Sequence, residues 1–113
     1  MSTIFKKIID REIKAEIIYE TDIVICFKDI NPIAPIHLLI IPKKEIPTVN
    51  DIQENDKTLI GEMFIAAKEI AKLLKINDNG YRLIVNCNND GCQSVYHLHM
   101  HMLGGKKLNW KEL

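Results

Sequence analysis

Three of the chain's four histidines, His97, His99 and His101, occupy every second position of the stretch YHLHMHMLGG, Tyr96 to Gly105. Successive side chains of a β-strand point to opposite faces. The spacing therefore predicts a strand with three imidazoles on one face and Tyr96, Leu98, Met100 and Met102 on the other. At a rise of about 3.3 Å per residue, neighbouring rings stand roughly 6.6 Å apart, near enough for two or three of them to engage one phosphate-sized group. A helix would scatter them around its axis. Imidazole has an ordinary pKa of about 6.5, so three close rings titrate as a coupled set and can hold neutral and charged forms side by side near neutrality. A single histidine on a strand is most simply a solvated side chain, but three in register make a reactive face.

Alternating histidines also suit zinc or non-haem iron. Here no carboxylate or cysteine stands at a recognisable ligand spacing from the row, so free imidazoles working without metal or cofactor are the expectation. The ten residues leading into the row, NCNNDGCQSV from Asn86 to Val95, are rich in Asn and Asp with one Gly and one Ser. Turns of this composition can aim successive backbone N–H groups at an anion, although a plain polar connection has the same composition.

The rest of the chain must position these groups. At 113 residues it has the length of one domain, 1–113, with a single core. Lys plus Arg equals Asp plus Glu at 15 each, so there is no overall basic field of the kind that neutralises a nucleic-acid backbone. A small anionic ligand fits better than nucleic acid. No apolar run approaches the 18 or so residues of a membrane span, and the opening MSTIFKKIIDREIK lacks the apolar centre of a signal peptide. Cys26, Cys87 and Cys92 are odd in number and lack CxxC spacing, which argues against a disulfide framework or a zinc knuckle and makes a cytoplasmic location the expectation.

Ser2 or Thr3 can cap a short helix with Ile4, Phe5, Ile8 and Ile9 on its apolar side. EIIYE and DIVICFKD, separated by Thr-Asp, read as a hairpin over about Glu16 to Lys28. Two prolines and an Asn make Asp29 to Pro35 a loop, and HLLII, His37 to Ile41, is an apolar run of strand length that calls for cover on both faces. From about Asp56 to Leu74 the apolar residues recur at i, i+3 and i+4, the spacing of one long amphipathic helix. Asn77 to Gly80 ends it, and Tyr81 to Val85 reads as a strand. Five strands and two helices joined mostly by short loops give an α+β fold with a largely antiparallel sheet.

With these elements in place, QSVYHLHMHMLGG resembles the signature of the histidine triad (HIT) superfamily. TIFKKII, FKDINPIAPIHLLIIPKK, YRLIVN and GGKKLNW resemble its histidine triad nucleotide-binding (HINT) branch, so the similarity spans about Thr3 to Trp110. The resemblance implies a HIT-like fold whose five-stranded sheet joins a partner's in a homodimer to form ten strands. It implies a hydrolase acting at the α-phosphate of a purine nucleotide, splitting the P–N bond of adenosine 5′-monophosphoramidate, or cleaving an aminoacyl adenylate, through a nucleotidyl-histidine. His99 matches the nucleophile, His97 and His101 its flanking partners, and His37 the family's fourth histidine. Ser94 matches the serine at the leaving group, Asn86 the asparagine near the phosphate, and Gln93 is a further phosphate-site candidate. Asp29 matches the acid that bonds the ribose hydroxyls, where the competing reading is a turn-forming Asp before Asn31-Pro32. Ile4, Phe5, Ile8, Phe27, Ile30 and Leu39 match the apolar base pocket.

One departure concerns Cys92, which stands where the family commonly has glycine, so a positive φ there would strain a Cβ. Sibling branches separate on two features. Nucleotidyl transferases replace the last triad histidine by glutamine, whereas this chain keeps His101, which favours hydrolysis. Dinucleoside polyphosphate hydrolases usually lack the Gly104-Gly105 to Trp110 ending and rank second. A nucleotide-binding interaction protein with incidental catalysis is a third reading.

Overall fold

The apolar run HLLII forms the middle strand of the sheet, β3 (Ile36–Pro42), in a computed structural model that describes residues 3–111. Every residue of β3 after Ile36 is buried, and a strand buried on both sides needs a layer on each. The helix α1 (Ile4–Ile9) supplies one. Thr3 caps it through its hydroxyl oxygen, which accepts the Lys6 N–H at 3.1 Å, and Phe5 and Ile8 pack on Leu39 and Ile41. The other layer is α2 (Lys57–Leu73), whose Met63, Ala66, Ala67, Ile70 and Ala71 pack on Leu38 and Ile40. Each large side chain so buried contributes about 1.5–3 kcal/mol.

Around β3 lie β1 (Ile17–Glu20), β2 (Val24–Lys28), β4 (Tyr81–Ile84) and β5 (Met100–Gly104). The order is β1-β2-β3-β5-β4 and every neighbouring pair is antiparallel. Two 3-10 turns, Val49–Asp51 and Glu54–Asp56, carry the chain from β3 to α2. The buried Asp56 carboxylate accepts the Gln53 N–H at 2.8 Å and the Lys44 ammonium at 2.6 Å, which fixes the start of the helix. Among the described residues no helix is long and apolar enough to cross a membrane, and Cys26, Cys87 and Cys92 are free thiols.

The histidine strand is shorter than its spacing predicts. Pairing with β3 begins only at Met100, opposite Ile40. Continuing it would set Leu98 against Pro42, which has no N–H to offer a neighbour. Instead the Leu98 N–H donates to the Ile46 carbonyl at 2.6 Å, and the Pro42 carbonyl is taken by the His97 ring at 2.8 Å. Alternation survives beyond the pairing. Leu98, Met100 and Met102 enter the core beneath α2, while Tyr96 departs from it and is 48% exposed.

Candidate active site

Register brings the rings together. Leu39 of β3 lies opposite His101 of β5, so both project from the α1 face of the sheet, as does His37 two residues before Leu39. The His99 and His101 ring centroids are 5.0 Å apart, nearer than an evenly spaced row. Phe5 presents its edge to His99 at 5.1 Å and an interplanar angle of 84°, and the same ring meets His97 at 6.3 Å. All four histidines are buried.

Carbonyl oxygens only accept hydrogen bonds, and that settles which nitrogens carry protons. His99 Nδ1 lies 2.7 Å from the His97 carbonyl and must donate to it. In its neutral form Nε2 of His99 is then the nitrogen with an available lone pair. His97 Nε2 donates to the Pro42 carbonyl at 2.8 Å. His37 Nδ1 accepts the Ile33 N–H at 3.2 Å, so neutral His37 bears its proton on Nε2, which lies 3.0 Å from His101 Nδ1 and 3.4 Å from Asp29 Oδ2.

Burial disfavours the charged form of every one of these rings. Desolvation is the leading cause that lowers His37, His97 and His99 below the ordinary imidazole range. His101 falls furthest, to about 4, through desolvation and then through repulsion from His99 and His37. The rings are neutral at physiological pH.

His99 and His101 form the floor of a cleft of roughly 340 Å³, within the size range of small-ligand sites. Ile4, Phe5, Ile8, Phe27 and Leu39 make apolar walls, His99, His101 and Ser94 supply polar atoms, and Asp29 and Ile30 stand at the lining where β2 ends. Asp29 also forms the turn that its sequence suggests, since its Oδ1 accepts the Asn31 N–H at 2.8 Å. Ten of the residues singled out in the sequence thus share one cavity.

Four do not line it. His97 and His37 stand behind His99 and His101 through the contacts above. Asn86 follows β4 and is half-buried. Gln93 is buried within its own loop, where its carbonyl oxygen accepts the Asn88 N–H and its amide donates to the carbonyls of Pro47 and Val95 at 2.8 and 3.0 Å. Each polar end of Gln93 is engaged in shaping the loop rather than offered to a ligand. In the same loop Asn88 and Cys92 both adopt positive φ, 61° and 62°. Gly91 between them packs so closely that a Cβ would meet the Cys87 carbonyl oxygen at 2.6 Å.

The cleft is completed by residues the sequence did not mark. Ile13, Lys14 and Ala15, between α1 and β1, have no spacing signal at all. Val95 does have one: it continues the odd-numbered alternation of the histidines backwards by one step and packs with the α1 cluster.

Asp29, His37 and His101 also bring three ligand-type atoms within 4.8 Å of one another. A metal on His37 Nε2 needs the proton moved to Nδ1, where it would face the Ile33 N–H that now donates there. The local backbone therefore opposes metal ligation and supports the hydrogen-bonded arrangement.

Comparison with known proteins agrees with this fold and motif. The HIT domain family model matches residues 10–108. Purine nucleoside phosphoramidase of Escherichia coli is 52% identical over 106 residues, 94% of this chain and 89% of that protein. An uncharacterized HIT-like protein of Buchnera aphidicola is 53% identical over 94% of this chain and 95% of its own. Among solved structures, a HIT family hydrolase from Legionella pneumophila superposes with a TM-score of 0.94 at 44% identity, over 97% of this chain and 98% of that one. A histidine triad protein from Clostridium difficile gives 0.94 at 41% identity, over 99% and 97%. Matched by the family model over residues 10–108 and by relatives along nearly their whole length, the chain belongs to the HIT domain family.

Proposed function

We propose that this protein is a purine nucleoside phosphoramidase, hydrolysing the P–N bond of adenosine 5′-monophosphoramidate or the acyl phosphate linkage of an aminoacyl adenylate. The observation that carries the reading is the His99 ring, neutral, held through Nδ1 by its own backbone at 2.7 Å and set on the floor of an apolar cleft beside His101. The purine lies between Ile4, Phe5, Ile8, Phe27, Ile30 and Leu39, and the ribose hydroxyls donate to Asp29. His99 Nε2 attacks the α-phosphorus. The bond from phosphorus to the leaving group breaks, and the departing amine or carboxylate takes any proton it needs from solvent, delivered along hydrogen bonds to Ser94 and His101. This leaves a nucleotidyl group on His99. Water then attacks phosphorus, its proton returns to solvent along the same hydrogen bonds, and the His99–phosphorus bond breaks to release the nucleoside monophosphate. One difficult displacement becomes two easier ones.

Ser94, the residue of the 86–94 loop that lines the cleft, would meet the phosphate oxygens, with Asn86 near them and Gln93 keeping the loop's shape. Preorganised donors of this kind are the effective device where charge develops on phosphoryl oxygens. No metal or cofactor enters the scheme, and a cytoplasmic homodimer is the working form proposed. Exposed Phe64 and Ile65 on α2 and Val85 beyond the unpaired edge of β4 support the dimer as apolar surface that a second copy would cover.

A turnover panel decides the substrate class. Adenosine phosphoramidate and aminoacyl adenylate are expected to be cleaved with far higher kcat/KM than diadenosine polyphosphates. The reverse order would move the chain to the dinucleoside polyphosphate hydrolases, and binding of purine nucleotide without turnover of any of them would make it a nucleotide-binding interaction protein.

A further inference from the structure

We infer that His37 is a positioning residue that links ribose recognition to the chemistry at phosphorus, through one hydrogen shared between two acceptors. The inference rests on the reading of Asp29 as the ribose contact and of His101 as a group acting at the α-phosphate. Because the Ile33 N–H occupies His37 Nδ1 at 3.2 Å, neutral His37 has a single hydrogen to offer, on Nε2. Two acceptors face it: His101 Nδ1 at 3.0 Å and Asp29 Oδ2 at 3.4 Å. One hydrogen cannot serve both fully.

The backbone makes the competition unavoidable. The Asp29 N–H donates to the His37 carbonyl at 3.1 Å, which ties the start of the Asp29 loop to β3, and the Asn31 N–H fixes Asp29 Oδ1 at 2.8 Å. That leaves Oδ2 turned towards His37. His101 Nδ1 is the nearer acceptor, but the charged carboxylate at 3.4 Å competes with it for the His37 hydrogen. Ribose hydroxyls donating to the carboxylate satisfy its lone pairs and weaken that competition. The His37 hydrogen then goes to His101 Nδ1, and a neutral His101 that accepts at Nδ1 must carry its own proton on Nε2. No proton moves along the chain of groups. The contact only selects which His101 nitrogen holds one, so that His101 is a donor in the complex with a ribonucleotide.

A consequence distinguishes this from simple ribose binding. Hydroxyls that only anchored the substrate would affect KM, whereas hydroxyls that also set the His101 tautomer must affect kcat. With adenosine phosphoramidate and its 2′-deoxy analogue, the wild-type protein should lose about fivefold or more in kcat on removal of the hydroxyl, the scale of coupling between groups in contact. His37→Leu, which has no donor, should lower kcat for the ribonucleotide by about tenfold or more while leaving the two substrates with nearly equal kcat. His37→Gln places an amide N–H near the former Nε2 position and should recover most of the rate and part of the discrimination. Equal deoxy penalties in kcat for wild type and His37→Leu would overturn the coupling while leaving the phosphoramidase reading intact. No turnover of either substrate by the wild type would remove the reading itself.

Should His37→Leu fail to fold, ring-nitrogen NMR of 15N-histidine-labelled wild-type protein gives the same answer. Adenosine monophosphate should move His101 towards the form protonated at Nε2, and 2′-deoxyadenosine monophosphate should do so less. Identical His101 signals with the two nucleotides bound would overturn the inference.

Discussion

His99 Nδ1 stands 2.7 Å from the carbonyl oxygen of His97, two residues earlier in the same segment. The contact is local, so the nitrogen left free on His99 is determined by the path of its own backbone and not by a distant carboxylate. The neighbouring ring is oriented by the end of another strand, through the bond from His97 Nε2 to the Pro42 carbonyl at 2.8 Å. The proline that stops the β3–β5 pairing thereby supplies the acceptor that holds the first histidine of the row. Strand termination and site construction are one event here.

Acid should weaken the folded protein in a defined window. A histidine whose folded pKa lies below its unfolded value binds fewer protons when folded, so stability is flat above about pH 6.5 and declines as pH falls towards the folded value. For His101 that window runs from about 6.5 down to about 4, with a slope of up to about 1.4 kcal/mol per pH unit, and His37, His97 and His99 act in the same direction. Urea unfolding at pH 7.5, 6 and 5 should show the decline, and His101→Asn should reduce its slope. A flat profile across that range would mean that the rings are not buried neutral.

Cys92→Gly should stabilise the protein by up to about 1 kcal/mol, because a non-glycine residue at φ 62° carries a strained Cβ whose relief outweighs the added freedom of the unfolded chain. Denaturant midpoints of the two proteins measure it. A lower midpoint for the glycine variant would show that the Cys92 side chain stabilises the loop despite its backbone.

Oligomeric state is open to a sharper test than the sequence permits. Both Met63 and Phe64 sit at apolar positions of the α2 pattern, yet Met63 is 2% exposed in the core and Phe64 is 52% exposed. Phe64→Glu should therefore dissociate a dimer without unfolding the chain, while Met63→Glu should unfold it. Light scattering is expected to give twice the 13.0 kDa chain mass for wild type and a single chain mass for Phe64→Glu. A wild-type monomer at micromolar concentration would remove the dimer from the proposal.

Much of this arrangement was legible because it depends on periodicity. The alternation that separates His97, His99 and His101 from Leu98, Met100 and Met102 is a backbone property, and it survives even where pairing with β3 is lost. HLLII declared its double burial through the absence of any polar residue after His37. The end of β5 pairing was harder, because it turns on which residue of β3 faces Leu98, and register is not visible in a single segment. Gln93 is a similar case. Its type suits a phosphate, but its bonds to Asn88, Pro47 and Val95 exist only once the loop is closed over the turn after β3. Ile13, Lys14 and Ala15 line the cleft by where the chain passes, with no pattern of their own.

The central claim is that His99 attacks phosphorus, and trapping the intermediate tests it most directly. Adenosine phosphoramidate mixed with the protein, quenched without acid and digested, should give a peptide containing His99 with the mass of an added adenylyl group. His99→Ala should show no adduct and should lose several orders of magnitude in kcat, since the covalent route itself is gone. An adduct on His97 or His101, or near wild-type turnover by His99→Ala, would contradict the account.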